Sequence, residues 1–314
     1  MTSSAPTRPD AGTSRLGLAL LVLLVTGVGG WMFTQTPTPT GGRVADTTTP
    51  ASLDGFRQDA WFLPDEPRLG FVEIPDGPFL MGGTPTTDPG AFDNERWSAA
   101  QPRGTVHLPT YYLGRYEVTV AQFAAFVADT GYPAAAEALA GPPDHPVSQV
   151  SWPDALAYAE WLSRQLAASL ATPDDLRQRL DAGWRVTLPS EAQWEKAARG
   201  PEDQIYPWGA VADRTRANLQ GQSTVPVGSY RCDECPYGLA DMGGNVWEWT
   251  RSPVQPYPFT AEDDDDTVGD DALWVMRGGS FTDPERNARA GTRGGGDPGA
   301  RRPFMGFRVA LVAP

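Results

Sequence analysis

The stretch Tyr237-Gly238-Leu239-Ala240-Asp241-Met242-Gly243-Gly244-Asn245-Val246-Trp247-Glu248-Trp249 decides how the rest of the chain is read. Glycines at 238, 243 and 244 open backbone angles closed to other residues. Asp241, Asn245 and Glu248 supply hard oxygen donors. Trp247 and Trp249 alternate in a way that suits a short extended segment. Together these residues predict a tightly turned loop, with a bound cation as one candidate centre, that seats the tryptophans in or beside a cleft.

Composition sets the bounds around that loop. A chain of 314 residues, 40% of them hydrophobic, can bury one large core or two small ones. Its 34 glycines and 31 prolines are many for a helical protein but fewer than a disordered chain carries. Eleven tryptophans, ten of them spread from Trp61 to Trp274, predict a loop-rich α+β fold with an irregular, aromatic-filled core. A net charge of −14 argues against a nucleic-acid partner, because neutralising phosphates takes basic surface. His107 and His145 are far apart, which counts against a His-rich metal centre, and each is read as structural. Two cysteines cannot build a disulfide framework.

Leu16 to Phe33 is an uncharged, mostly apolar run of eighteen residues, near the lower limit for crossing a bilayer. Arg8 and Arg15 precede it and no basic residue follows before Arg43, which places the amino terminus in the cytoplasm. A cleaved signal peptide is the competing reading. The bulky Trp31-Met32-Phe33 stands where cleavage needs small residues, so an uncleaved signal anchor is expected. The expected organisation is a cytoplasmic tail over 1–15, a transmembrane anchor over 16–33, a Thr/Pro-rich linker over 34–66 and an exported domain over 67–314.

Within that domain, Phe71 to Gly83 reads as strand, Pro-Asp-Gly turn, strand. Thr105 to Leu108 and Tyr111 to Tyr116 suggest two more strands. Three helix starts carry capping chemistry: Thr119-x-x-Gln122, Ser151 with Pro153 in the first turn, and Ser190-x-x-Gln193. Gly131 and Gly200 stop the first and third, and an apolar stripe carries the second to about Leu170. No helix is expected after Gly209. Glu262 to Asp266, with Asp270 and Asp271, reads as a solvated acidic insertion. Trp274 to Phe281 and Gly306 to Leu311 are strand-like.

From about Phe71 to Leu311 the chain resembles the sulfatase-modifying-factor family, the domain of formylglycine-generating enzymes. The resemblance rests on an ordered series that includes Tyr116-Glu117-Val118-Thr119, Leu188-Pro189-Ser190-Glu191-Ala192, Tyr206-Pro207-Trp208-Gly209, Gly244-Asn245-Val246-Trp247-Glu248-Trp249, Arg277-Gly278-Gly279-Ser280-Phe281 and Gly306-Phe307-Arg308. It implies an irregular, loop-rich α+β domain of the C-type-lectin-like type. It also implies structural calcium held by Asp241, Gly244, Val246 and the carboxylate of Glu248. The competing reading is that Asp241 and Glu248 only bond backbone N–H groups in a tight turn. A second calcium position of the family falls at Asn218-Leu219, but Gln220 to Gly228 lacks the aspartate that would complete it.

The family's enzymes oxidise a substrate cysteine with two copper-binding cysteines placed shortly after Gly-Gly-Ser. Here that stretch reads Phe281-Thr282-Asp283-Pro284-Glu285-Arg286-Asn287-Ala288-Arg289, without a cysteine, and a soft Cu(I) ion needs thiolates. Copper is therefore not expected. What remains is a binding cleft of Trp247, Ser280, Arg289 and Arg293. Cys232 and Cys235 are expected to form a local disulfide in an oxidising compartment, a redox pair or half of a zinc site being the alternatives. The expected function is a membrane-anchored exported binding or accessory module. The alternative is a divergent oxidative tailoring enzyme using the same cleft, and formylglycine formation ranks last. Its ligand class (peptide, protein or small molecule) stays open.

Overall fold

Reciprocal caps start three of the four α-helices among the described residues. In the computed structural model, which describes residues 53–98, 100, 103–230, 232–260, 264 and 272–314, helix α1 spans Val120–Thr130. Thr119 accepts the Gln122 N–H while Gln122 accepts that of Thr119. Ser151 and Asp154 do the same for α2, Trp152–Ala168. Helix α3, Asp174–Asp181, was not anticipated; Asp174 and Asp175 in its first turn and Arg179 in its last suit the helix dipole. Ser190 and Gln193 cap α4, Glu191–Arg199, which stops at Gly200. Gly131 ends α1 at φ 67°, a left-handed angle that favours glycine.

The strands are short: β1 (Phe56–Arg57), β2 (Leu63–Pro64), β3 (Phe71–Ile74), β4 (Gly77–Met81), β5 (Gly104–Leu108), β6 (Tyr111–Gly114), β7 (Arg185–Thr187), β8 (Trp247–Pro253), β9 (Trp274–Arg277), β10 (Gly294–Gly296), β11 (Met305–Gly306) and β12 (Ala310–Val312). One four-stranded sheet runs β3-β6-β12-β7 and the other β10-β9-β8-β11. The two strands flanking Pro75-Asp76-Gly77 both form, yet they do not pair with each other. β3 pairs with β6, and β4 pairs with β5. The turn between them is tied elsewhere: Lys196 Nζ donates to the carbonyls of Pro75 and Gly77, and the Asp76 N–H reaches Thr110. Lys196 is the chain's single lysine, and it is buried.

The larger core packs α1 and α2 against the first sheet through Phe123, Phe126, Tyr158, Trp161 and Phe307, with ring centroids at 5.5 Å for Phe123–Phe126 and for Tyr158–Phe307. Each such ring contributes about 1.5–3 kcal/mol on burial, so this aromatic cluster outweighs any single cap. Trp152 stacks on Trp274 at 3.7 Å. The chain before residue 67 takes part: Phe62 is buried and Trp61 meets Trp161 edge-on at 6.2 Å.

The predicted anchor over 16–33, the tail before it, the linker up to residue 52 and the acidic insertion apart from Asp264 lie outside the described residues. Among the described residues no helix is long and apolar enough to cross a membrane.

Candidate functional site

Two glycine turns lock together at the opening stretch. Asp241, Gly244 and Asn245 take φ of 54°, 85° and 60°, and Gly278 and Gly279 take 94° and 72°. The Gly244 N–H donates to Gly278 O, and the Phe281 N–H donates to Asn245 O. A Cβ at Gly244 would sit 2.6 Å from the carbonyl oxygen of Asn218, so the position admits only glycine. The chain then enters β8, which carries Trp247, Glu248 and Trp249.

Glu248 is fully buried and faces Arg308. The guanidinium donates from Nε to Oε2 at 2.6 Å and from a terminal nitrogen to Oε1 at 2.7 Å, and Trp194 Nε1 adds a bond to Oε2 at 2.8 Å. Asp241 accepts the Gly228 N–H at 2.6 Å. Glu117 accepts from Asn245 Nδ2 at 3.2 Å through Oε2. Glu117 enters the sequence reading only as part of a motif, yet it is buried here beside these acids. Burial pushes the Glu117 carboxyl well up, and the Asp241 and Glu248 charges push it further. Burial also raises Asp241 to about 6, against the opposing pull of the Gly228 N–H and Arg308.

The buried Glu117 and Glu248 and the part-buried Asp241 thus face one buried guanidinium. Such an excess of negative charge is paid for by protons or by a cation. The charge therefore fits the calcium expected from Asp241, Gly244, Val246 and Glu248, although Arg308 and Trp194 already bond both Glu248 oxygens. Among the described residues no three His, Cys, Asp or Glu side chains converge as a ready metal centre, so backbone carbonyls would have to complete a calcium shell. At the second position, Asn218 Nδ2 bonds Ser223 O and Asn245 Oδ1.

The cleft residues separate into two groups. Asp283 gathers the first: it accepts from Trp247 Nε1 at 2.9 Å, from Ser280 Oγ at 2.6 Å and from the Ser280 N–H at 3.0 Å, and its other oxygen takes Asn287 Nδ2. Ser280 is fully buried, so its hydroxyl is a structural donor to Asp283. The Trp247 ring lies over Gly294, where a Cβ would be 3.0 Å away. Gly294 and Arg293 line a groove of about 470 Å³ with Asn94, Tyr257, Val275 and Gly295. Trp247 thus packs against a strand that lines the groove, while only Arg293 of the expected cleft residues lines it directly.

Arg289 does not reach it. Its side chain is 0% exposed and is spent on Glu95, at 2.6 and 2.7 Å, and on Asp88 at 2.6 Å. Arg293 lines the groove with its cation already matched by Glu191 at 2.5 and 2.9 Å and laid over the Tyr257 ring. Arg277 and Arg199 both engage Glu195. These four arginines pair with the buried acids Asp88, Glu95, Glu191 and Glu195, and of the eight only Arg293 lines the groove. Burial alone would raise Glu195, but Arg199 and Arg277 bring it down to about 2.

Cys232 and Cys235 are joined in a disulfide, with Cα atoms 5.3 Å apart. His107 faces Asp76 at 3.8 Å on the surface, and His145 Nδ1 lies 2.9 Å from Thr224 Oγ1. Neither histidine lines the groove.

Residues 63–313 match the family described as the sulfatase-modifying factor enzyme 1-like domain, and the chain belongs to that family. It is 31% identical over 287 residues to the hercynine oxygenase of Mycolicibacterium smegmatis, covering 76% of this chain and 60% of that one. It is 33% identical over 248 residues to the formylglycine-generating enzyme of Thermomonospora curvata, covering 59% of this chain and 72% of that one. The chain thus spans about 60% of the length of the oxygenase. Among solved structures, PvdO from Pseudomonas aeruginosa aligns with a TM-score of 0.61 at 26% identity, covering 77% of this chain and 93% of PvdO. The fold is the mixed α/β fold of the formylglycine-generating type.

Proposed function

We propose that this member of the sulfatase-modifying factor enzyme 1-like family is a binding or accessory module and not a copper–cysteine oxidase. The observation that carries the reading is the fate of the thiols. The sequence has two cysteines, and both are spent on the Cys232–Cys235 disulfide. The segment after Gly279-Ser280 is organised by Asp283, a hard oxygen donor that does not replace a thiolate for Cu(I). The ligand-facing surface is the groove beside Trp247 and Arg293, and it takes a peptide, a protein or a small molecule. The net charge of −14 speaks against nucleic acid.

Calcium has a structural part in this reading. Asp241, the carbonyls of Gly244 and Val246, and Glu248 would hold it, and it would balance the buried acids and rigidify the turn that presents Trp247. The domain is displayed outside the cytoplasm from an anchor over residues 16–33, in a loop-rich, C-type-lectin-like form. The supports for the anchor are the apolar run itself and the arginines that precede it. Mass spectrometry of the mature protein tests it: a new amino terminus between about residues 30 and 46 would remove the anchor.

Incubation of the protein with copper and a Cys-x-Pro-x-Arg peptide tests the main reading. The expected result is no aldehyde, and aldehyde formation would overturn it. The similarity to a hercynine oxygenase favours a second reading, oxidative tailoring at the same groove. Oxygen consumption in the presence of candidate metals separates the two.

A further inference from the structure

Beneath the loop that carries Glu117 lies a small space away from the groove. Its volume is about 20 Å³, and Leu63, Leu69, Phe71, Glu117, Gln122 and Tyr158 are among the residues that line it. A water molecule needs roughly 10–15 Å³ measured this way, so the space holds one and not two. Two oxygens of its lining residues, Glu117 Oε1 and Tyr158 Oη, are buried and have no hydrogen-bond partner among the described residues. Buried polar atoms without partners are rare in folded proteins, and a bridging water is the usual reason.

We propose that one ordered water occupies this space, hydrogen-bonded to both Tyr158 Oη and Glu117 Oε1. Burial pushes the Tyr158 pKa up, so its hydroxyl keeps its proton. Gln122, on the same lining, is already turned to other partners, its Oε1 taking the Thr119 N–H and its Nε2 reaching Phe62 O. A metal ion does not fit either: calcium takes six to eight oxygens, and most of this lining is hydrocarbon. The water links Tyr158 on α2 to the carboxylate whose other oxygen holds Asn245 in the glycine turn.

Crystals of the protein that resolve ordered solvent test this directly. The expected result is a peak about 2.7–3.0 Å from both oxygens, lost in Tyr158→Phe. Urea unfolding gives a second readout. Removing a partner of a bridging water lowers the folding equilibrium constant roughly threefold to tenfold, whereas removing an orphaned hydroxyl raises it. No peak in the unsubstituted protein overturns the proposal whatever the variant does. So does a peak with additional oxygen ligands at about 2.3–2.6 Å, which would be a metal.

Discussion

Arg308 and Glu248, sixty residues apart, close a two-point ion pair in which neither side chain is exposed to solvent. The pair ties the glycine turn to the last strands of the chain. Arg308 also donates to the carbonyls of Gly114 and Ala240, so one guanidinium fixes three segments. Removing one partner of a buried pair leaves the other charge stranded, at a cost of about 3–5 kcal/mol. Glu248→Ala is expected to lower urea-unfolding stability by that amount and to abolish stabilisation by added calcium. An unchanged calcium response would remove Glu248 from the ligand set.

Glu195 sets an acid limit. Its folded pKa of about 2 lies below the ordinary 4.5, so its ionised form stabilises the fold. That contribution is complete above about pH 4.5 and is lost as pH falls toward 2; the shift corresponds to roughly 3 kcal/mol. Glu195→Gln is expected to be far less stable than the parent at pH 6, with the gap closing as pH drops through 4.5 to 2. A gap that stayed constant over that range would contradict the assignment.

Gly244→Ala tests the turn itself. The new Cβ meets the Asn218 carbonyl, and φ of 85° costs an L-residue about 1–2 kcal/mol before any clash. A loss of more than about 2 kcal/mol in thermal unfolding is expected. Gly55→Ala, also at positive φ but with nothing near its Cβ, is expected to lose only the backbone part.

The Cys232–Cys235 bridge closes a very short loop, so chain entropy makes it worth about 2 kcal/mol at most. Reduction is expected to lower the melting temperature modestly and to leave the domain folded. Titration of the native protein is expected to find no free thiol. Two reactive thiols would reopen a redox role for the pair.

Gly294 lines the groove beside Arg293 and packs against the Trp247 ring, which makes this glycine a probe of both. Gly294→Val should push the Trp247 ring aside, changing its fluorescence with little change in stability, since Gly294 is part-exposed. A binding partner of the groove is expected to lose affinity at least tenfold, about 1.4 kcal/mol. An unaltered emission spectrum would place the ring elsewhere.

Local chemistry was legible in the residues, and partnership across the chain was not. Thr119, Ser151 and Ser190 announce their helices because a cap bonds atoms three residues away. Helix α3 stayed hidden because Leu176 is its one buried residue, leaving no apolar period to read. The strands either side of Gly77 read as neighbours because a Pro-Asp-Gly turn favours pairing, but Lys196 and Thr110 hold that turn apart. Arg289 and Arg293 look alike in sequence. Only their remote carboxylates, Glu95 and Asp88 for one and Glu191 for the other, send the first inward and leave the second at the groove. Asp283 and Glu117 each stood within a quoted motif, with no local signal that they would gather Trp247, Ser280 and Asn245.

Lys196 gives the folded state a chemical clock. Its ammonium is buried and held by two carbonyls, so it is shielded from amine-selective reagents while α4 stays in place. The chain's remaining primary amine is the one at its amino terminus. The rate at which a reagent modifies this single side chain therefore counts how often the centre of the domain opens.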